Sequence, residues 1–469
     1  MNDNKSKNRN LIEGIFIYAI GSFGTKILTF LIVPLYTYYI STSDMGVYDL
    51  LLSTVNLLTP IVTLQISDAA YRWIIREEDA SDIYIRATLQ VLFFNSIIAA
   101  LLIFVVNLVK PFQYCFYFVL LLLTSRTLAT IQKLLRGVKN QKAFAFSSIL
   151  YTVVFLILNV IQICVLKMGV RSLFSSAIIA NIIACIFIFI IEPKLRVDLL
   201  KKPNIAIIKE MLAYSAPLVP NQLNWWVINS ADRYIVSYFL GSSANGILAI
   251  AHKFPTMLQV VLGLFNSSWQ DVSIADTEAD PGKYYTEVFK KLYKISFGIL
   301  FFLIPFTNIF IWLVMSEDYK ISAEYVPFFY LGTVFQGFSS FYGVGYLRNK
   351  QTKKAFSTSI YGAVVNAVIS IILINFIGLQ AAAVATFIGF LVMWMIREKQ
   401  NRKELNIQYD KLEFWVMFTI SLAICIAANM LSFAGNIILM IVGGLLFIIA
   451  NRDIILLVLG KVKQKLIKK

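Results

Sequence analysis

The sequence contains few charged residues, one histidine and four cysteines among its 469 residues. Charged residues make up 14% of the chain, whereas soluble globular proteins contain roughly 25%. The cysteines form no CxxC pair and have no histidine cluster near them, so we expect neither a disulfide framework nor a bound metal. They lie inside or beside apolar runs, at Cys115, Cys164, Cys185 and Cys425.

Motifs for soluble catalytic chemistry are also absent from the sequence. There is no GxxxxGK phosphate loop, no HExxH metal motif and no DxD sequence. The connections between apolar runs are short, which leaves little room for an active site outside the membrane. We therefore expect a protein that is not an enzyme and that needs no cofactor, apart from H+ or Na+ as a coupling ion.

Long apolar runs dominate what the sequence does contain. Hydrophobic residues make up 58% of the chain, and many runs exceed the 18 or so residues that suggest a membrane span. The pattern predicts an all-α, multi-pass membrane protein with about fourteen transmembrane helices. The run at 324–347 is the most polar, and we expect it inside the helix bundle. The predicted spans are 11–40, 47–74, 83–109, 113–136, 143–167, 172–191, 212–240, 246–272, 289–314, 324–347, 355–377, 379–396, 412–433 and 435–451.

Lys and Arg are unequally divided between alternate connections, and basic connections stay in the cytoplasm. The basic set predicts that both termini are cytoplasmic and that the tail forms an interfacial helix on the anionic inner leaflet. The net charge of +16 is thus assigned to the membrane surface rather than to nucleic acid. The alternate connections, which have few basic residues, contain only Lys110, Lys167, Arg171 and Lys320. The basic set includes RGVKNQK (136–142), KLRVDLLKK (194–202), RNKQTKK (348–354), REKQNRK (397–403) and KVKQKLIKK at the end.

Two segments recur in the same order at nearly the same offset. TYYISTSDMGVYDL (37–50) is similar to SYFLGSSANGILAI, which begins 200 positions later. The segment from Arg136 to Ser147 is similar to one that begins 212 positions later, at Arg348. Six spans per copy predict two parallel repeats related by an axis along the membrane normal. The expected organisation is one lobe at 1–202, a second lobe at 203–404, and a further helix pair with the basic tail at 405–469.

The segment NQLNWWVINSADRY (221–234) places an acid and a base within an apolar run. At 100° per residue, its polar and tryptophan side chains fall within about 140° of arc. One interpretation is an interfacial ion pair with an aromatic belt. The other is the wall of a wet cavity. The face consists of Asn221, Gln222, Trp225, Trp226, Asn229, Asp232 and Arg233.

The next predicted span carries a second polar stripe. Its members recur at i, i+4, i+7, i+11, i+14 and i+18, which is one narrow face of an α-helix. A seam of interhelical hydrogen bonds accounts for the amides but requires no basic side chains, so a hydrated cavity is favoured. The stripe is His252, Thr256, Gln259, Gly263, Asn266 and Gln270, with Lys253 beside it.

Basic residues also lie within the apolar runs of the first half. Lys26 and Arg126 each lie near the middle of a predicted span, and Arg86 lies one turn into another. Residues of this kind face a bundle interior or a water-filled cavity. Their excess over acidic residues predicts a cavity that attracts an anion rather than an organic cation.

Three titratable side chains are candidates for ion coupling, namely Asp68, Asp232 and His252. Each of them is alternatively a structural partner of a neighbouring charge. Asp68 and Arg72 stand four residues apart, a spacing that also fits a local salt bridge on one helix.

The run SADRYIVSYFLGSSANGILAIAHKF (230–254) carries a family resemblance. With Asp232, Arg233, Gly241, Gly246 and Lys253 in place, it resembles the Wzx-type oligosaccharide-lipid flippases. These form the polysaccharide biosynthesis protein family of the multidrug/oligosaccharidyl-lipid/polysaccharide (MOP) exporter superfamily. The resemblance extends over nearly the whole chain and implies two MATE-like lobes that work by alternating access around a cationic central cavity.

The same resemblance implies a substrate and partners. The expected substrate is an undecaprenyl-diphosphate-linked oligosaccharide, moved across the bacterial cytoplasmic membrane for capsule, O-antigen or exopolysaccharide assembly. The expected partners are membrane lipid, a polysaccharide polymerase and the chain-length machinery. A drug or cation exporter of the same fold would need an acidic cavity, and a membrane-embedded polymerase would need a large external loop or an acid cluster. A lipid-II-type flippase would have the same composition, so this alternative function remains open.

Overall fold

The computed structural model describes residues 26–275, 282–349, 351–453 and 455–456. These residues form helices joined by short connections, and no strand occurs among them. The all-α fold predicted from the sequence is therefore confirmed. The start of the first predicted span, at 11–25, and the basic tail from 457 onward lie outside the described residues.

The chain divides into two compact units, residues 1–230 and 231–469. The predicted lobe boundary at 202/203 stays a prediction. The first unit contains the helices α1 (Val33–Tyr39), α2 (Thr42–Thr63), α3 (Ile66–Arg76), α4 (Ser81–Val109), α5 (Cys115–Gly137), α6 (Gln141–Val160), α7 (Arg171–Ile191) and α8 (Ile205–Ser215), and α9 (Val219–Ala251) begins in it.

The second unit contains the end of α9 and eight further helices. These are α10 (Lys253–Ala275), α11 (Gly282–Val314), α12 (Glu317–Lys320), α13 (Val326–Arg348), α14 (Thr352–Ile377), α15 (Gln380–Leu405), α16 (Lys411–Met430) and α17 (Phe433–Ala450).

Eleven helical stretches among the described residues are long and apolar enough to cross a membrane. One of these stretches, Ile205–Gln270, runs through α8, α9 and α10. The prediction of a multi-pass membrane protein is confirmed, whereas the number fourteen and the side on which the termini lie stay predictions.

The second predicted span, at 47–74, is not one continuous helix. Helix α2 ends at Thr63. Helix α3 begins at Ile66, after two residues in the left-handed region, Leu64 at φ 47° and Gln65 at φ 53°. Pro60 inside α2 lacks a backbone N–H and so removes one helical hydrogen bond shortly before the break. The hydroxyl of Thr63 accepts a hydrogen bond from the Gln65 backbone N–H at 3.3 Å. The expectation of an uninterrupted helix was wrong, because hydropathy does not report backbone geometry.

Both copies of the first repeated segment interrupt the helical backbone at equivalent positions. Ser41 is extended and caps α2, and its hydroxyl accepts the Asp44 backbone N–H at 3.1 Å. Gly241 lies 200 positions later and interrupts α9 with φ 84° and ψ 177°. That conformation is readily adopted only by glycine. The local structure therefore supports the repeat that the sequence predicts.

The core of the first unit is aliphatic. Side chains from α3, α4, α5 and α8 form one buried cluster, in which Ile66, Ile85, Ile131 and Met211 are fully buried. Such residues give long apolar helices their packing faces. The cluster packs α3 against α5, and this packing brings Asp68 close to its ion-pair partner on α5, described below.

The core of the second unit is aromatic and centres on α13. Phe335 and Phe338 of this helix pack against Phe297, Trp394 and Phe414 from three other helices. The most polar predicted span, 324–347, corresponds to this buried helix, as expected from its polarity.

A glycine of α17 sets the approach of this helix to α11. A Cβ at Gly443 would overlap the carbonyl oxygen of Phe301, whereas a Cβ at the neighbouring Gly444 would meet only Phe302 Cδ2 at 3.9 Å. Small residues let membrane helices approach backbone to backbone. The two adjacent glycines therefore differ in what they contribute to packing.

We expect Gly443→Ala to destabilise the protein by about 2 kcal/mol or more, because the added methyl group forces the backbones of α11 and α17 apart. The measurement is the thermal unfolding midpoint of the purified protein in detergent. Gly444→Ala is the matched control and should unfold near the wild-type temperature. Equal midpoints for the two variants would contradict this account of the helix contact.

Candidate functional site

A buried carboxylate in the second unit holds two basic side chains. The side chain of Asp232 is 3% exposed. Its Oδ2 atom lies 2.9 Å from His252 Nε2. Its Oδ1 atom accepts the backbone N–H of Arg233 at 3.0 Å and Arg233 Nη1 at 3.3 Å. The sequence placed these three residues on two helix faces, and the structure brings them into one cluster, which we call the Asp232 cluster.

The backbone of α9 and α10 positions the histidine. His252 stands between the two helices. Pro255 cannot donate a hydrogen bond to the carbonyl of Ala251, and this loosens the helix at that turn. The His252 N–H still donates to the Leu248 carbonyl at 2.9 Å, and the His252 ring centroid lies 4.1 Å from that of Phe329 on α13. The imidazole is thus held by its own backbone, by an aromatic ring and by the carboxylate.

Electrostatics explain why the Asp232 cluster has this composition. A carboxylate is expensive to bury unless it is paired and hydrogen-bonded, and Asp232 receives hydrogen bonds on both oxygens. With its proton on Nε2, His252 donates to the carboxylate. A second proton on the imidazole would leave the cluster with a net positive charge. The arrangement therefore places an imidazole and a guanidinium group on one buried carboxylate.

The polar stripe of α10 is partly a contact between helices. Gln259 Nε2 donates to Gln336 Oε1 of α13 at 3.0 Å, and the Thr256 hydroxyl donates back to the His252 carbonyl at 2.7 Å. Asn266 Oδ1 is buried and has no partner among the described residues. Gln270 is exposed and Lys253 is partly buried. Gln259 thus fits the hydrogen-bond seam that the sequence left as an alternative.

The first part of the 221–234 segment belongs to the first unit. Asn221 and Gln222 are exposed. Trp226 Nε1 donates to the Ser53 carbonyl of α2 at 2.9 Å, and Asn229 Nδ2 donates to the Trp225 carbonyl at 2.8 Å. The indole of Trp226 is therefore attached to a neighbouring helix. Trp225 is partly buried.

One amide of this segment was missed by the sequence analysis. Asn224 is buried, and its Nδ2 has no hydrogen-bond partner among the described residues. Its position on the helix lies outside the polar arc that was used to select candidates. A buried amide that is not satisfied is uncommon in folded proteins.

The three basic residues predicted in the first half lie in different environments. Lys26 is exposed at the beginning of the described residues. Arg126 is partly buried in α5, and its Nε donates to the hydroxyl of Ser125 at 3.3 Å. Arg86 is partly buried in α4, and its buried Nε has no hydrogen-bond partner among the described residues. No carboxylate pairs with Arg86 or Arg126 in the described part of the chain.

Asp68 does not pair with Arg72, so the local salt bridge considered from the sequence was wrong. Its Oδ1 atom lies 2.5 Å from Lys133 Nζ of α5. The guanidinium carbon of Arg72 lies 4.5 Å from the ring centroid of Tyr214 on α8. Because α3 packs against both α5 and α8, tertiary partners replace the contact along one helix.

Arg397 is a buried cation that the sequence analysis assigned to a cytoplasmic connection. It lies within α15, 4% exposed. Its guanidinium donates to the hydroxyls of Thr358 and Ser359 and to the carbonyls of Ser339 and Ala355, at 2.9 to 3.2 Å. The helix continues to Leu405, beyond the predicted end at 396. Neutral oxygen atoms from α13 and α14 thus solvate a charge that was expected in water.

Metal ligation is not indicated within the described residues. They contain no group of three or more His, Cys, Asp or Glu side chains that could hold a metal ion. The four cysteines are free thiols.

Comparison with known proteins gives one family and several similar structures. The model of the polysaccharide biosynthesis protein family matches residues 11–269, which is more than half of the chain. No curated relative matches the sequence. The lipid II flippase MurJ, in an inward closed conformation, is 15% identical, with 94% of this chain and 100% of that chain covered and a TM-score of 0.69.

Two further structures have the same fold. A MATE transporter in complex with MaD3S is 15% identical and covers 84% of this chain and 96% of its own, with a TM-score of 0.57. A MOP superfamily transporter from Pyrococcus furiosus, described by a binding pocket of reverse polarity, is 15% identical. It covers 84% of this chain and 95% of its own, with a TM-score of 0.54. The MATE-like fold expected from the sequence is confirmed.

The Asp232 cluster yields a test by double substitution. We expect Asp232→Asn and His252→Gln each to lower the thermal unfolding midpoint, because each weakens the hydrogen bond between two buried polar side chains. In the double variant the loss in free energy of unfolding should be smaller than the sum of the two single losses. The difference, which is the coupling energy, should be about 1 kcal/mol or more.

The pair Lys290 and Glu413 is the matched control. Its atoms lie 3.6 Å apart and Lys290 is 48% exposed, so Lys290→Gln and Glu413→Gln should be close to additive. Additive losses at Asp232 and His252 would show that the two side chains are not coupled.

Proposed function

Because the chain belongs to the polysaccharide biosynthesis protein family, we propose that it is a flippase for an undecaprenyl-diphosphate-linked oligosaccharide. It moves this lipid from the cytoplasmic to the external leaflet of a bacterial cytoplasmic membrane by alternating access. The product supplies a polymerase and chain-length machinery that assemble a surface polysaccharide. The fold shared with MurJ and MATE transporters supports transport rather than catalysis.

Arg126 is the observation that carries this proposal. It lies near the middle of α5 and, among the described residues, forms a hydrogen bond only to Ser125. Lys133 on the same helix is neutralised by Asp68. A cation that remains unpaired inside an apolar helix is costly, and a diphosphate would relieve that cost by charge-assisted hydrogen bonds.

The second unit has candidate ligands of its own. Arg233 and Lys253 are its candidate phosphate ligands, and the exposed amide of Gln270 is a candidate sugar ligand. In the first unit, Trp225 and Asn221 are candidates for sugar stacking and hydrogen bonding. The polyprenyl tail stays in the surrounding lipid.

Drug or cation export fits the charges less well. A cation exporter would need a carboxylate that is available to its cargo. Asp68 is paired with Lys133, and Asp232 is paired with His252 and Arg233. Both candidate acids are thus already neutralised by protein cations.

Transport by reconstituted protein tests the proposal. In liposomes that contain a fluorescent polyprenyl-diphosphate oligosaccharide, we expect Arg126→Gln, Arg233→Ala and Lys26→Ala each to reduce leaflet transfer at least about tenfold, the effect of losing about 1.4 kcal/mol of binding. Lys110→Gln, an exposed cation just beyond α4, should transfer lipid at the wild-type rate. Wild-type rates for all three variants would refute the role of these cations.

The coupling of lipid transfer to an ion gradient is tested in the same liposomes. We propose that protons couple at the Asp232 cluster, because a carboxylate and an imidazole are in hydrogen-bond contact there. A pH gradient is therefore expected to accelerate transfer, and Asp232→Asn is expected to abolish the acceleration while slower transfer continues. Acceleration by a sodium gradient alone would contradict proton coupling and leave the transport assignment intact.

A further inference from the structure

An apolar groove lies on the first unit. Its volume is about 520 Å³, and it is formed by α4, α5, the end of α7 and the segment that follows α7. The lining is almost entirely apolar. It includes Leu89, Phe93, Ile97, Leu101, Leu123 and Leu199.

The dimensions of the groove fit a single acyl chain. From Leu89 to Leu101 the α4 wall extends roughly 18 Å at 1.5 Å per residue, close to the thickness of one hydrocarbon leaflet, roughly 15 Å. Phe93 is 56% exposed and Leu101 is 59% exposed, so large apolar side chains border an open trough. An undecaprenyl chain is several times longer than this wall. The groove therefore matches a phospholipid better than the proposed substrate.

A cation stands at one end of the groove. Arg86 precedes Phe93 by seven residues and Ile97 by eleven, which places all three on one face of α4. Its side chain leans toward the N-terminus of the helix, beyond Leu89 at the end of the wall. Arg86 makes no hydrogen bond or ion pair with the described residues, and its Nε is buried. The guanidinium is thus available to an anion at the end of the groove.

The segment after α7 adds basic residues at the same end. Gln90 Nε2 donates to the carbonyls of Leu199 and Lys201 at 3.0 and 2.7 Å. These bonds hold Leu199 in the groove wall and place Lys201 beside it. Leu200 is 97% exposed next to Lys201 and Lys202. Fully exposed leucine beside lysines is the composition of a segment at the membrane surface.

We propose that this groove binds an anionic phospholipid, with one acyl chain along α4 and the phosphate headgroup at Arg86 and Lys201. The basic end selects an anionic headgroup, because each Lys or Arg near a membrane surface contributes about 1 kcal/mol of attraction to anionic lipid. The inference is independent of the transported substrate.

Native mass spectrometry of the full chain in detergent tests the proposal, with phosphatidylglycerol and phosphatidylcholine as probes. The wild type should bind phosphatidylglycerol in preference to phosphatidylcholine. Arg86→Gln with Lys201→Gln should weaken phosphatidylglycerol binding about fivefold for each charge removed. Lys142→Gln with Lys399→Gln removes two charges from exposed positions and should leave binding unchanged.

A second pair of variants tests the groove itself. Ala100 lines the groove, so Ala100→Trp should block the acyl chain and reduce binding of both lipids. Ile98 is 54% exposed on the same helix and is not part of the lining, so Ile98→Trp should bind like the wild type. Equal binding of the two lipids by the wild type overturns the headgroup site. Wild-type binding by Ala100→Trp overturns the groove as the location.

Discussion

The cost of placing an ion in hydrocarbon organises this protein. A buried charge requires a partner, a set of hydrogen bonds or access to water. Asp232 meets this requirement with His252 and Arg233, and Asp68 meets it with Lys133. Arg397 meets it with four neutral oxygen atoms. Arg86 and Arg126 lack such partners among the described residues, and the two functional proposals arise at these two positions.

Hydropathy predicted most of the fold because a membrane helix must satisfy its backbone internally over some twenty apolar residues. The same argument could not predict where a helix is interrupted. At Leu64 and Gln65 the left-handed backbone occurs without glycine, so no residue type announces it. At 241 a glycine is present, and the predicted span 212–240 ends beside it. Arg397 shows a related limit, since counting basic residues places it in a connection although tertiary packing buries it.

The candidate site was predictable as helix faces but not as contacts. Periodicity identified Asp232 and His252 separately, and nothing in the spacing of twenty residues indicates a hydrogen bond between them. Asp68 shows the reverse case, since a favourable local spacing to Arg72 was overridden by Lys133 from another helix. Asn224 was missed because an arc drawn around the most polar residues excludes an amide on the opposite face. Which polar groups meet depends on how helices pack, and a single sequence does not contain that information in local form.

The interruption between α2 and α3 has a mechanical meaning. A continuous α-helix behaves as a stiff rod, since its ladder of hydrogen bonds passes bending and twisting from one end to the other. The ladder stops at Leu64 and restarts at Ile66. Tilting of α2, which contains Pro60, is therefore not transmitted to α3 as a rigid rotation. The ion pair between Asp68 and Lys133 holds α3 against α5.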